Sequence, residues 1–208
     1  MIKAVIFDLG GVILRTVDQG PRQALAARLG VSPYDLYHQV FSSDSARLAT
    51  LGKISTADHW EAIRRYFHLA AEELPGAVQQ FWDGDRLDRS LLASIRSLHG
   101  RYRTGLLSNA FDNLRSLMES EWKIANAFDE IIISAEVGLM KPDHRIYLLA
   151  LERLEAAPDE AVFVDDVGEN VDGARWVGLR GIQFRTRQQA LRELKLVLQD
   201  GRSTSDER

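Results

Sequence analysis

Residues 1–14, MIKAVIFDLGGVIL, run a short apolar strand into one acidic residue, Asp8, and then onto the glycine pair Gly10 and Gly11. The run IKAVIF does not alternate apolar with polar side chains, which is the pattern of a strand covered on both faces. Four later runs share it: TGLLS (104–108), EIIIS (130–134), AVFVD (161–165) and GIQFR (181–185). Between the later runs lie stretches with helical spacing, such as NLRSLMES, HRIYLLALERL and NVDGARWVGL. Strand and helix therefore alternate from about residue 90 onward, which specifies an α/β fold with a Rossmann-like parallel sheet and helices on both faces.

The first strand breaks that rhythm. The chain from Leu14 to about Arg103 is far longer than the roughly 30 residues of a simple strand–helix–strand unit. It carries helical patterns in QALAARLG, with Gly30 as a stop, then SPYDLYHQVF, TADHWEAIRRYF and PGAVQQFW, and no convincing strand. The expected organisation is a catalytic core formed by 1–15 and 86–200, an inserted small helical cap at 16–85, and a frayed polar tail, GRSTSDER, at 201–208. Tyr37, Trp60, Tyr66, Phe67 and Trp82 recur in the insert at near-helical spacing and are expected to form its core.

Composition narrows the chemistry. The 26 basic and 30 acidic residues are spread along the chain, leaving no electrostatic footprint for nucleic acid and favouring a small-molecule partner. With no cysteine, disulfide frameworks, thiolate metal sites and thiol nucleophiles are excluded. The five histidines are scattered and share no metal-ligand spacing, so the carboxylates must carry any catalysis. The apolar run before Asp8 is too short for a signal peptide and no run approaches transmembrane length, so a cytoplasmic protein without a membrane partner is expected.

In an open parallel sheet, ligands bind beyond the carboxyl ends of the strands. Asp8 follows VIF, Ser108 closes GLL, and Asp165 and Asp166 follow VFV, so three strands deliver polar groups to one edge. The loop AEVGLMKPD can return Lys141 over the same edge. Taken singly, Asp8 reads as a turn former, Ser108–Asn109 as a helix cap and Lys141 as a surface lysine. The Asp165–Asp166 pair is harder to explain that way, because adjacent carboxylates repel unless a cation or hydrogen bonds compensate. A cluster of Asp8, Asp165 and Asp166 offers hard oxygen ligands, which suits magnesium better than zinc. Lys141 and Ser108 would then meet an anionic group bridging to that metal, and phosphate fits best.

FDLGGV, LLSNA, the lysine of GLMKPD, and VFVDD followed by GENVDGARWVG stand in an order that resembles the haloacid dehalogenase (HAD) superfamily, over almost the whole chain. The resemblance implies a Rossmann-like sheet with a mobile helical cap and a magnesium-dependent phosphatase. It makes Asp8 the nucleophile that forms an aspartyl-phosphate. It implies magnesium ligation by Asp8, the Gly10 carbonyl, Asp165 and Asp166, the acid pair acting directly or through water. Ser108 and the neighbouring Asn109 amide would hold the phosphoryl oxygens, with Lys141 neutralising their charge.

One position departs from that pattern. Family phosphatases place a second Asp two residues after the nucleophile, where it protonates the leaving group, and here Gly10 stands instead. Three readings follow. The first is the phosphatase branch with a DLGNV or DLGGV motif, resembling sugar-1-phosphate phosphatases, whose anomeric leaving group needs less protonation; Asp18 or the substrate would assist. The second is a 2-haloacid dehalogenase, against which stand the retained acid pair and the absence of an aromatic at position 10. The third is a weakly active phosphometabolite sensor. Other expectations are minor: Arg15 and Arg47 could face substrate, Asn170 caps a helix, and Gly173 and Gly178 let their helix pack closely on the sheet. Oligomeric state is not legible.

Overall fold

The structure, a computed structural model, describes residues 1–203. Five parallel strands form one sheet in the order β5-β4-β1-β6-β7: β1 (Ala4–Phe7), β4 (Arg103–Ser108), β5 (Glu130–Ile133), β6 (Ala161–Asp165) and β7 (Arg180–Gln183). These are the five apolar runs, with ends shifted by no more than two residues and β4 and β7 each starting one residue earlier. The absence of alternation has a direct cause. Val5 and Phe7 enter an apolar cluster on one face, with Leu91, Leu92, Ile95 and Leu194, whereas Ala4 and Ile6 enter the other, with Tyr147, Ala150, Phe163 and Ala174.

The first face is covered by α6 (Arg89–Arg96), α7 (Leu114–Ser116) and α11 (Arg187–Ser203); the second by α9 (His144–Arg153) and α10 (Gly168–Trp176). Helices on both faces of a parallel sheet are thus observed. A short helix, α8 (Ser134–Val137), follows β5 directly. Of the expected frayed tail, residues 201–203 continue α11, and 204–208 lie outside the described residues. Among the described residues no helix is long and apolar enough to cross a membrane.

Between β1 and α6 the chain builds five helices: α1 (Gly20–Leu29), α2 (Pro33–Phe41), α3 (Asp44–Thr50), α4 (Thr56–Tyr66) and α5 (Leu74–Trp82). Three start on a serine whose hydroxyl accepts a first-turn N–H: Ser32 from Asp35, Ser43 from Ala46 and Ser55 from Asp58. Each such cap is worth about 1 kcal/mol. Leu25, Leu36, Val40, Trp60, Ile63 and Phe81 form a separate apolar cluster, so these helices have a core of their own. Of the aromatics expected there, Trp60 is buried, whereas Tyr37 and Tyr66 are 51% and 58% exposed. Helical spacing identified the helices but not which aromatic lay on the inward face.

The insert also contains strands, contrary to expectation. β2 (Leu14–Thr16) pairs antiparallel with β3 (Asp85–Leu87), joining Leu14 to Leu87 and Thr16 to Asp85. The expected lobe boundaries, 16 and 85, fall on facing residues of this ribbon. Three-residue strands reading LRT and DRL are too short to display any period.

Candidate active site

The edge positions meet as the parallel-sheet rule requires. Asp8 is the first residue after β1, Ser108 the last of β4 and Asp165 the last of β6, and all three are buried. Lys141, also buried, arrives from the loop between α8 and α9, just before a cis bond to Pro142. Its ammonium donates to Asp8 Oδ1 at 2.7 Å, to Asp165 Oδ2 at 2.7 Å and to the Leu107 carbonyl at 2.9 Å. All three of its protons are thereby used. Asp8, Asp165 and Asp166 each place a carboxylate oxygen within 4.8 Å of the others.

Three carboxyl groups share one ammonium. Burial, opposed by Lys141 and reinforced by Asp165 and Asp166, pushes the Asp8 carboxyl up to about 7. Burial and then the neighbouring Asp165 also raise Asp166. Burial disfavours the Lys141 ammonium, but Asp8 and Asp165 outweigh it and hold the amine above its ordinary range. The site as it stands has an excess of negative charge, and a divalent cation among the carboxylates would relieve it.

The two acids of the pair have different surroundings. Asp165 Oδ1 accepts from the Val167 N–H at 2.8 Å and from Asn170 Nδ2 at 3.2 Å, while Oδ2 accepts from Lys141 and from Asn170 at 3.1 Å. Asn170 is therefore a partner of Asp165 rather than a helix cap. Asp166 is partly exposed and lies against Gly11, whose φ of 75° and lack of a Cβ let the backbone pass; a Cβ there would overlap the Asp166 carboxylate. At Gly10, in contrast, a Cβ would have nothing within 4 Å.

Asn109 has a role that the sequence did not reveal. Its side-chain oxygen accepts from the Lys141 N–H at 2.8 Å and its Nδ2 donates to the Lys141 carbonyl at 2.9 Å. The side-chain amide is thus committed to Lys141. The Ser108 hydroxyl has no hydrogen-bond partner among the described residues, and Ser108 is buried at the end of β4.

Other candidates have neighbours of their own. Asp18 Oδ1 accepts from the Gly20 N–H, just before α1, at 2.8 Å. Arg15 pairs with Asp88 at 2.5 Å. Arg47 lines a surface groove of about 370 Å³ with Asp44, Leu48, Leu51 and Lys53. A Cβ on Gly173 would crowd Pro142 and Tyr147 rather than the sheet, and Gly178 supplies a φ of 99° after α10.

The helical lobe rests on loops at the same edge. Thr56 at the start of α4 directs its hydroxyl and its N–H to the Asp112 carboxylate. His59, buried and held by Ser45 and the Val40 carbonyl, packs on Phe111 with ring centroids 4.9 Å apart. Gly52 passes so close to Ala135 that a Cβ would overlap its carbonyl oxygen.

The chain is 29% identical over 187 residues to the sesquiterpene phosphatase astK of Aspergillus oryzae, covering 88% of this chain and 89% of that protein. It is 28% identical over 211 residues to the D-ribitol-5-phosphate phosphatase of Bacteroides thetaiotaomicron, covering 95% and 99%. Mouse bifunctional epoxide hydrolase 2 matches at 29% over 94% of this chain, which spans 39% of that longer protein. Among solved structures, a HAD-like hydrolase from Porphyromonas gingivalis superposes with a TM-score of 0.78 at 23% identity, covering 95% and 98%. A HAD family enzyme from Bacteroides thetaiotaomicron, crystallised with magnesium and inorganic phosphate, gives 0.72 at 20% identity, covering 90% and 96%. The haloacid dehalogenase-like hydrolase family matches residues 2–178, most of the chain and every residue of the cluster around Lys141, and this protein belongs to it.

Proposed function

We propose that this hydrolase is a magnesium-dependent phosphatase of the cytoplasm, acting on a small phosphorylated metabolite through an aspartyl-phosphate on Asp8. The observation that carries the reading is the position of Lys141, between Asp8 and Asp165 at 2.7 Å from each. A carboxylate nucleophile repels an anionic phosphate unless cations stand beside it, and this site has one fixed cation and a ring of oxygens suited to a second. The names of two relatives, a sesquiterpene phosphatase and a ribitol-phosphate phosphatase, support a phosphomonoester.

The donor set fits magnesium. Asp8, Asp166 and the Gly10 carbonyl would hold the ion, with Asp165, which already accepts at both oxygens, beside them. When bound, the ion supplies a compact positive charge against the phosphoryl oxygens. The rest is done by the chain. Lys141 keeps Asp8 oriented, and Ser108 with the Asn109 backbone N–H takes phosphoryl oxygens. Asp8 attacks phosphorus, the bond from phosphorus to the alcohol oxygen breaks, and the departing oxygen takes a proton from solvent, because Gly10 offers none. Water then attacks phosphorus, the bond to Asp8 breaks, and phosphate leaves with the carboxylate restored. The helical lobe serves as a cap over this sequence, limiting bulk water while admitting the solvent that supplies the proton and the attacking water.

The missing acid favours substrates whose leaving oxygen is already stable, and a sugar 1-phosphate is the preferred class. The test is phosphate release from glucose 1-phosphate, ribitol 5-phosphate, farnesyl phosphate and nucleotides, with and without magnesium, for the wild type and Asp8→Asn. Release that needs magnesium and Asp8 is expected. Binding without release would replace the enzyme by a phosphometabolite sensor.

A further inference from the structure

The two short strands that join the lobe to the sheet are fixed at both ends by acids three residues apart. At the upper end, both Asp85 oxygens accept from one terminal nitrogen of Arg22 of α1, at 2.9 and 3.0 Å, and both side chains are nearly buried. Arg22 also donates to the Phe81 carbonyl at 2.9 Å and lies over the Phe81 ring, so this acid is tied into the core of the lobe. Val17 and Asp18 both donate to the Gly84 carbonyl, and a Cβ on Gly84 would overlap the Asp18 carbonyl oxygen, closing that end of the ribbon.

At the lower end, Asp88 gathers three elements. Its N–H donates to the Ile13 carbonyl at 2.8 Å, and Oδ1 caps α6 by accepting from the Leu91 N–H at 2.9 Å. Oδ2 accepts from Arg15 of β2 at 2.5 Å, and Oδ1 also from Arg187 of α11 at 2.8 Å. The Asp88 side chain is only 3% exposed, although both arginines reach it from the surface. Arg15 lies over the Phe184 ring, which further ties β2 to the segment before α11. Arg187 stands beyond residue 178, where the family match ends.

We infer that Asp85 and Asp88 make the β2–β3 ribbon a two-ended clamp, and that Arg187 is a positioning residue through which the C-terminal helix α11 sets the orientation of the helical lobe. Between the two clamped ends only a few residues of each strand are free to twist. The lobe therefore moves about a base whose stiffness depends on a side chain 99 residues away in sequence. The inference rests on geometry alone; only its kinetic arm rests on the phosphatase reading.

The test uses amide hydrogen exchange on the full-length protein. Arg187→Met leaves Asp88 with Arg15 and the Leu91 N–H, so the fold persists. Exchange in residues 14–18 and 84–88 should rise roughly threefold to tenfold, while β1 and β6 keep wild-type protection. Arg187→Lys should restore most of it. Arg22→Met should release the upper end, speeding the amides of Val17 and Asp18 while that of Asp88 stays protected. In the kinetic arm, Arg187→Met should raise KM for a sugar phosphate several-fold and leave kcat for para-nitrophenyl phosphate within about twofold, because the cluster around Asp8 is untouched. An equal rise of exchange in β1 and β6, or none in the ribbon, overturns the clamp. A protected wild-type ribbon that loosens in Arg187→Met, in a protein that releases no phosphate, upholds the clamp and removes the phosphatase.

Discussion

Asn109 grips Lys141 by the backbone, accepting from its N–H at 2.8 Å and donating to its carbonyl at 2.9 Å, 32 residues away in sequence. This pair of hydrogen bonds fixes the point from which the lysine side chain enters the sheet edge. Asn109→Ala should cost about 1–3 kcal/mol of stability, from two hydrogen bonds of ordinary worth. Phosphate release should fall roughly 10- to 100-fold, because a small displacement of Lys141 misaligns Asp8. Urea titration and steady-state kinetics on the same preparation check both figures.

Removal of Lys141 itself should be more severe. Lys141→Met leaves Asp8 and Asp165 buried without their common cation, and breaking such a pairing from one side typically costs about 3–5 kcal/mol. Thermal unfolding should show this even in a protein that never meets a substrate. Equal stability of wild type and variant would mean that the carboxylates are not held by the ammonium.

The paired glycines should behave oppositely. Gly11→Ala must place a Cβ on the Asp166 carboxylate at a φ of 75°, and the backbone cost alone is about 1–2 kcal/mol. Magnesium-dependent activity should collapse. Gly10→Ala meets open space and should be nearly silent. Gly10→Asp adds an acid in the same open space, and alkyl phosphates should then be hydrolysed at least about tenfold faster, toward the 10²- to 10⁴-fold range of general acids. No gain on alkyl phosphates would show that protonation of the leaving group is not what limits the wild type.

The crowded carboxylates should make the metal-free protein sensitive to pH. The folded state holds the Asp8 proton up to about 7, against 3.8 for an ordinary Asp, so it binds more protons than the unfolded chain between those values. Stability should therefore fall as pH rises from about 4 to about 7. Asp8→Asn should flatten that slope and raise the melting temperature at pH 8. Magnesium should raise the melting temperature of the wild type and have much less effect on the variant. Differential scanning fluorimetry in EDTA and in magnesium separates these outcomes.

The sheet and its reactive edge were legible because each depends on contiguous residues. A strand buried on both faces is an unbroken apolar run, so β1, β4, β5, β6 and β7 announced themselves, and Asp8, Ser108 and Asp165 stand at or immediately after their ends. Lys141 was within reach because its loop follows one of those strands. What stayed hidden depends on distant partners or on very short elements. Nothing local distinguishes Asn109 as a clamp from Asn109 as a helix cap. β2 and β3 have three residues each, too few for a period. Helix α3 is seven residues long, and its sole local sign is the serine that caps it. Nothing local to Arg15 names its partner, because Asp88 lies 73 residues on.

The ribbon has one more consequence, for how such a protein diversifies. Thr16 and Asp85 face each other across two antiparallel strands, so the chain departs from the sheet and returns to it through neighbouring points. The segment between them can be lengthened, shortened or exchanged for another without moving β1, β4 or β6. A replacement has to supply its own arginine for Asp85 and loops that settle on Asp112 and Ala135. Selectivity and reactivity can then be inherited separately, one carried by a graft and the other by the stock.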